Sequence, residues 1–415
     1  MKKILIALTA LAVFTACHKD ENKDEVVKAD RTVLVYWSAE NNLTTDADSD
    51  LKELIKGSST IGNNNLLIFM DRADSNELPW FARIKDKRIV DSVSISDMKI
   101  EADYAKDPYA SDANIMEKVI RYAFEKYPSA KNDYALVFGG HGSGWQMEDS
   151  LNNYNAMARK KAYGVDNGRN DRNSATGKWM NIATMAKVLS HFPQLSYIFF
   201  DCCHMQCLEV AYELRNVTKY TIGSPAEIPA VGAPYETLTP ALFETTTFYT
   251  SIVDKYFAQR AGTLDVPLSV IKTSEMENLA NATKNILKTF AGSWDGNYPD
   301  MSGLIHYYYN YGAGRNEFYD ANDFMLKYAT IANYQTWKQA LEKAVVYKKM
   351  AKEWMTWIVP FYGSWGRFYG DFEMTEEKFS GVSMFVPQYK EQSDNNKDIK
   401  NTSWYYAAGY QDIGW

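Results

Sequence analysis

Cysteine is scarce in this chain, four residues in 415, and three of them, Cys202, Cys203 and Cys207, fall within six positions of one another. A disulfide framework links distant segments, so these three cannot staple the fold. A chain of this length buries enough surface to fold without staples. An excess of positive charge is also missing: the formal charge is −7, and −9 once Lys2 and Lys3 leave with a leader. That balance cannot neutralise a phosphate backbone, and it excludes nucleic acid as a partner. No internal repeat occurs, and the acidic loops lack the spacing of an EF-hand. Calcium dependence is therefore undecided by the sequence, and no cofactor is expected. What is present, 46% apolar and 14% aromatic residues, describes a globular chain with a large core domain and an appendage.

The N-terminus carries Lys2 and Lys3, the apolar run Ile4 to Phe14, and Thr15-Ala16-Cys17. This reads as an export signal whose apolar run is too short to span a membrane. The arrangement resembles bacterial lipoproteins, which implies cleavage before Cys17, lipidation of its thiol and a lipid anchor in the outer membrane. Phe14 departs from the aliphatic residue usual at that position, and a plain secretory signal with an incidental Cys17 is the alternative. Residues 1–16 are thus expected as signal peptide and 17–30 as a flexible tether, its charged run His18 to Glu25 being similar to that of surface-exposed lipoproteins.

Beyond the tether the pattern is α/β. Thr32 to Trp37 predicts a buried strand, 48–56 a helix, and Leu66 to Met70 a second strand. Trp80 to Ile84 and Arg88 to Val93 predict a hairpin, and 114–127 a helix. Two later segments share a grammar: Val137-Phe138-Gly139-Gly140-His141-Gly142-Ser143-Gly144-Trp145 and Tyr197-Ile198-Phe199-Phe200-Asp201-Cys202-Cys203. Each is a buried strand breaking into a turn with one reactive side chain, and strand ends are where open α/β sheets hold their chemistry. In one parallel sheet they would present an imidazole and a thiol on the same edge, as a cysteine nucleophile with a histidine base requires.

Between them, 146–178 is polar and aperiodic and predicts a long loop, with a helix over 182–192 after it. Met205, Leu208, Ala211 and Leu214 recur at helical spacing. That places Cys203 at a helix N-terminus, where the dipole lowers a thiol pKa and favours thiolate. Leu268 to Ile271 predicts a strand, Ser274 with Glu277 a capping box, and Gly381 to Val386 a last strand. The core domain is expected over 31–272 and a C-terminal helical and mixed subdomain over 273–415.

These residues resemble the clostripain-like cysteine peptidases, relatives of caspases, gingipains and legumain. The resemblance rests on Thr32 to Leu43, on His141 to Trp145, on Asp201-Cys202-Cys203 with Met205 and Glu209, on Ser224 to Pro229 with Gly232 and Tyr235, and on Gly381 to Pro387. It implies a caspase-like, mostly parallel sheet flanked by helices on both faces, and an endopeptidase acting through a thioester on Cys203. By the same resemblance His141 is general base and acid, and the backbone N–H groups of Gly142 and Cys203 form the oxyanion hole. Asp201 becomes the acid at the floor of the S1 pocket, selecting Arg or Lys at P1. Glu227, by its place in the loop after the nucleophile helix, is a candidate second acid. A monomer acting on peptides or proteins is expected. Family members that mature by self-cleavage imply a cut within 146–178, at Arg159, Lys160 or Lys161 before Arg169, Arg172 or Lys178. Cys202 replaces the family's Ala, and His204 its Leu.

Several readings compete. Cys202, Cys203, His204 and Cys207 could form a zinc site, but structural zinc draws spaced ligand pairs from separate segments, and the other histidines are His18, His141, His191 and His306. Cys207 reads most simply as a small buried hydrophobe, and His204 as a surface imidazole. His141 could be an ordinary turn histidine, Asp201 the N-cap of the helix after it, and Glu227 a surface carboxylate. An inactive peptidase-like lipoprotein that binds rather than cuts, or the same fold with another P1 preference, stands as the alternative. The aromatic residues of the C-terminal part read as core filler before a sugar-binding platform.

Overall fold

The computed structural model describes residues 28–74, 77–104, 107–147, 162–168, 177–260, 265–293, 298–307, 318–358, 364–368, 372–387 and 397–415. The expected leader, Cys17 and Arg159, Lys160, Lys161, Arg169 and Arg172 of the long loop lie outside them. In chain order the first twelve strands are β1 (Thr32–Ala39), β2 (Asn65–Arg72), β3 (Trp80–Lys85), β4 (Arg88–Ser94), β5 (Tyr134–Gly140), β6 (Tyr163–Asp166), β7 (Lys178–Met180), β8 (Tyr197–Asp201), β9 (Tyr220–Gly223), β10 (Leu268–Lys272), β11 (Tyr319–Asp320) and β12 (Val345–Lys349), and Trp354–Ile358, Ser364–Phe368 and Ser383–Met384 follow them. Nine form one sheet in the order β12-β10-β9-β8-β5-β1-β2-β3-β4. The five central strands, β9 to β2, run parallel, and two antiparallel strands close each edge.

The central strands are buried along their length because helices cover both faces. Alternation assigns the side chains of β1: Leu34 and Tyr36 join the core under α2 (Ala113–Lys126), α3 (Ile182–Leu189) and α4 (Leu208–Glu213). Val33, Val35 and Trp37 join the opposite core, under α1 (Thr44–Gly57), α5 (Tyr235–Leu238) and α6 (Phe248–Arg260). The chain leaves β1 toward β2 on one side and later returns to β5 on the other, so strand order reverses between β1 and β5. The parallel register aligns Ser38 with Gly140, and Gly139 with Asp201. The carboxyl ends of β1, β5 and β8 therefore open on one crevice at the switch point, where ligands bind in open α/β sheets.

Two expectations need correction here. The stretch 146–178 is not wholly loop: β6 and β7 pair antiparallel, and Tyr163, fully buried, donates its hydroxyl to Tyr36 O at 3.0 Å. Strands of four and three residues are too short to set up a readable period. Nor does a capping box form at Ser274. A 3-10 turn precedes α7 (Met276–Lys288), and Glu277 accepts instead from Arg215 Nε at 2.6 Å and Tyr212 Oη at 3.0 Å.

Residues after 273 supply α7, α8 (Ala321–Tyr328), α9 (Ile331–Ala344) and the edge strand β12, and they share the α2–α4 core. Asp320 caps α8, accepting from Asn322 N and Asp323 N. The strand expected over 381–386 shortens to Ser383–Met384, paired with β11. No described helix is long and apolar enough to cross a membrane.

Candidate active site

The end of β1 is folded by Asn41, whose amide donates to Ser38 O at 3.1 Å and Val165 O at 2.7 Å while its Oδ1 accepts from Leu43 N. This Asx-type turn presents Asn42 to the next strand end. There His141, half-exposed, holds Asn42 Oδ1 2.8 Å from its Nε2. An amide oxygen only accepts, so the proton sits on Nε2 and the basic lone pair on Nδ1. The His141 carbonyl is fixed in turn by Gly164 N of β6 at 2.8 Å.

At the end of β8 the chain turns without forming a helix. His204 adopts a left-handed φ of +60°, His204 N donates to Ala226 O, Gln206 N donates to Ser224 O, and α4 begins only at Leu208, with Cys207 at its N-cap. The helix N-terminus expected at Cys203 is thus displaced by five residues, because 204–206 pair with the segment after β9. The dipole that was to favour thiolate is absent from Cys203. Its Sγ, half-buried, accepts from Ile228 N at 3.2 Å. Burial first, and then the charge of Glu227, push the thiol pKa up to about 12. Gly142 lies against this turn: a Cβ there would sit 2.6 Å from Cys203 O and 2.8 Å from Cys202 Cβ. The loop after β5 and the turn after β8 therefore meet at backbone distance, which only glycine permits.

Cys202 faces the core, donating to Phe138 O at 3.1 Å, and Cys207 is fully buried. They do not converge with Cys203 on a shared centre. His204 is not a surface imidazole: it is 2% exposed, stacked on Phe318 with centroids 4.7 Å apart, and bonded through Nδ1 to Pro225 O at 3.1 Å. Burial lowers its pKa to about 4, so it is neutral and lends no positive charge to the thiol. Asp201 is not a helix cap either. Its Oδ2 accepts from Ala233 N at 2.8 Å and Tyr235 Oη at 2.9 Å, and its Oδ1 from Tyr256 Oη at 3.4 Å.

Asn42, His141, Gly142 and Cys203 line one cavity of about 360 Å³, together with Asp46, Asp50, Asp201 and Glu227. Among the described residues of its lining there are four carboxyl groups and no Lys or Arg. Burial raises the pKa of Asp50 to about 10, with Asp201 the next cause, and burial likewise raises that of Asp201. In chemical terms the crevice offers a nucleophile, a base held in one tautomer, and an acidic recess.

One group among the described residues has the spacing of metal ligands: Glu40, Asp71 and Asp166, all buried, with carboxylate oxygens within 4.8 Å of one another. An all-oxygen set is the kind a hard cation takes. Ala110 N donates to both Asp71 Oδ2 at 3.0 Å and Asp166 Oδ2 at 2.5 Å. Burial raises the pKa of both aspartates, and the bond between the two carboxyls needs a shared proton.

The sequence pattern misses four contributors, Asn42, Tyr235, Tyr256 and Asp50, in these roles. Asn42 was visible only as part of an Asn-rich turn, and the tyrosines holding Asp201 come from elements whose packing sequence does not reveal. Asp50 left a signal: with Ala47 and Leu54 it occupies the buried stripe of α1, an unusual place for an acid.

The sequence model of the clostripain family matches residues 35–414. No curated protein matches the chain. Among solved structures, the chain is similar to a secreted cysteine protease from Bacteroides thetaiotaomicron captured with an irreversible peptide inhibitor. That pair shares 29% identity at a TM-score of 0.72, covering 93% of this chain and 100% of the other. It is also similar to an inactive zymogen protease from Parabacteroides distasonis, with 27% identity and a TM-score of 0.73 over 92% of this chain and 98% of the other.

Proposed function

The chain belongs to the clostripain family of cysteine peptidases, and from that premise we propose that it is an exported endopeptidase cutting after Arg or Lys with Cys203 and His141. The observation that carries this reading is the shared cavity: His141 and Cys203 both line it, with four carboxyl groups and, among the described residues of the lining, no Lys or Arg. A guanidinium or ammonium is the P1 group such a recess stabilises.

In the reaction Cys203 Sγ attacks the scissile carbonyl while its proton passes to His141 Nδ1. The carbonyl oxygen, now negative, takes hydrogen bonds from Gly142 N and Cys203 N. His141 then protonates the departing amine as the C–N bond breaks, leaving a thioester. Water attacks the thioester with His141 again accepting a proton, and the acid product leaves as the thiol reforms. Asn42 accepts the Nε2–H throughout and keeps Nδ1 basic, a positioning role. Asp201 and Glu227 receive the P1 side chain.

The high thiol pKa favours a latent uncut chain in which proton transfer to His141 must accompany attack. Cleavage after Arg159, Lys160 or Lys161 by the chain's own site is the proposed activation, and an anchor through Cys17 the proposed attachment. Fluorogenic peptides varied at P1 test the specificity. Arg and Lys substrates should be cut at least ~100-fold faster than Gln or Asp substrates, with the activity abolished in Cys203→Ala. Equal rates across P1 would refute basic specificity. The purified wild type should also separate into two chains while Cys203→Ala stays whole; equal nicking of both would refute self-activation.

A further inference from the structure

We infer that Asp50 of α1 is a further acid of the P1 pocket beside Asp201 and Glu227, so that the cation at its floor is held between carboxylates delivered by different elements, Asp201 from the end of β8 and Asp50 from the helix after β1. This deepens the basic-P1 reading and rests on it. Asp50 is 4% exposed, yet it lines the same cavity as Cys203. Its carboxylate takes no hydrogen bond from any described residue, whereas Asp201 is held by Ala233 N and two tyrosine hydroxyls. A buried carboxylate facing a cavity without a donor is costly unless something else pairs with it.

The two acids stand close. Gly232, with φ of +55°, packs against both: a Cβ there would lie 2.8 Å from Asp201 Oδ2 and 3.1 Å from Asp50 Oδ2. Any other residue at 232 would therefore be strained and would fill the space between the carboxylates. The charged and titratable groups facing Asp50 are Asp46 and Glu53 from its own helix, Asp201 from β8, Tyr235 from α5, and Tyr256 and Arg260 from α6. Arg260 is the one cation among them; its guanidinium donates to Gly232 O at 2.8 Å and Val231 O at 3.0 Å, and its charge offsets the two acids only in part. Like charges this close cannot both ionise without a counter-ion. Without a bound cation the pocket thus keeps a proton on Asp50, and an arriving guanidinium or ammonium displaces that proton to solvent.

Binding to the full-length Cys203→Ala chain tests this without requiring turnover. Titration calorimetry compares a peptide ending in Arg at P1 with its neutral isostere ending in citrulline, in buffers of different ionisation enthalpy. The Arg peptide should bind at least ~10-fold tighter and release close to one proton at pH 7.5. Adding Asp50→Asn should remove most of that preference and the proton release. Its unfolding temperature should be at or above the parent's, since a buried repulsion is gone. If the parent binds both peptides alike, the basic-P1 reading fails and this inference with it. If the parent prefers Arg and Asp50→Asn retains both the preference and the proton release, the inference alone is overturned.

Discussion

At the scale of single residues, Cys203 departs from the usual picture of a primed thiolate. The turn at His204 moves the helix N-terminus away, the neighbouring imidazole is neutral, and Glu227 adds an unfavourable charge. With the thiol pKa near 12, roughly one molecule in ten thousand or fewer carries thiolate at pH 7.5. Alkylation of the uncut chain by iodoacetamide should therefore climb about tenfold per pH unit from 7 to 10, without levelling, and, mapped over residues 28–415, should stop at one adduct because Cys202 and Cys207 are buried. A plateau below pH 8 would show a thiol already poised and would contradict latency. Cys203 could be selected from sequence by resemblance, but its protonation state could not. That depends on Ile228 and Glu227, which approach from a loop about 25 residues away.

At the scale of elements, legibility followed the length of the periodic signal. Four of the five central strands, β1, β2, β5 and β8, and the helices over 44–57 and 113–126 were plain because their buried positions repeat over many residues, whereas the four-residue β9 was not read. β6, β7 and the two-residue strand Ser383–Met384 were not: their hydrogen bonds are fixed by partners distant in sequence, such as Gly164 N with the His141 carbonyl. The false helix start at Cys203 has the same origin, since Met205 is buried by tertiary packing rather than by a helical stripe. Glu209 of α4 shows what such packing does to a charge. It is fully buried, accepts from Phe385 N at 2.8 Å, and has its pKa raised by burial to about 7. An acid whose folded pKa lies above its unfolded value binds more protons when folded. Stability therefore falls as pH rises from about 4.5 to 7 and levels beyond. Glu209→Gln keeps the acceptor and removes the charge. It should flatten that part of the denaturation profile relative to wild type and add roughly 2–3 kcal/mol at pH 8. An unchanged profile would mean that Glu209 is solvated as an ordinary carboxylate.

At the scale of the whole molecule, one topological fact gathers the chemistry. Because the strand order reverses between β1 and β5, the ends of three parallel strands bring Asn42, His141 and Cys203 to one crevice, and α1 closes it with Asp46 and Asp50. The C-terminal residues contribute to the sheet edge and to the core beneath the nucleophile turn, through Phe385 on Glu209 and through the bridge between Cys207 and Ser383. In the proposed reading the acidic recess sets the preference at P1, and the buried thiol restrains the uncut chain. Intact-mass labelling with an Arg-directed electrophilic peptide, on wild type, Cys202→Ala and Cys203→Ala, tests the union of these features most directly. One adduct on the first two proteins and none on Cys203→Ala is the expected result. An adduct that survives in Cys203→Ala, or no adduct on any of the three even after trypsin nicking within 146–178, would contradict a Cys203 peptidase that recognises a basic P1 residue.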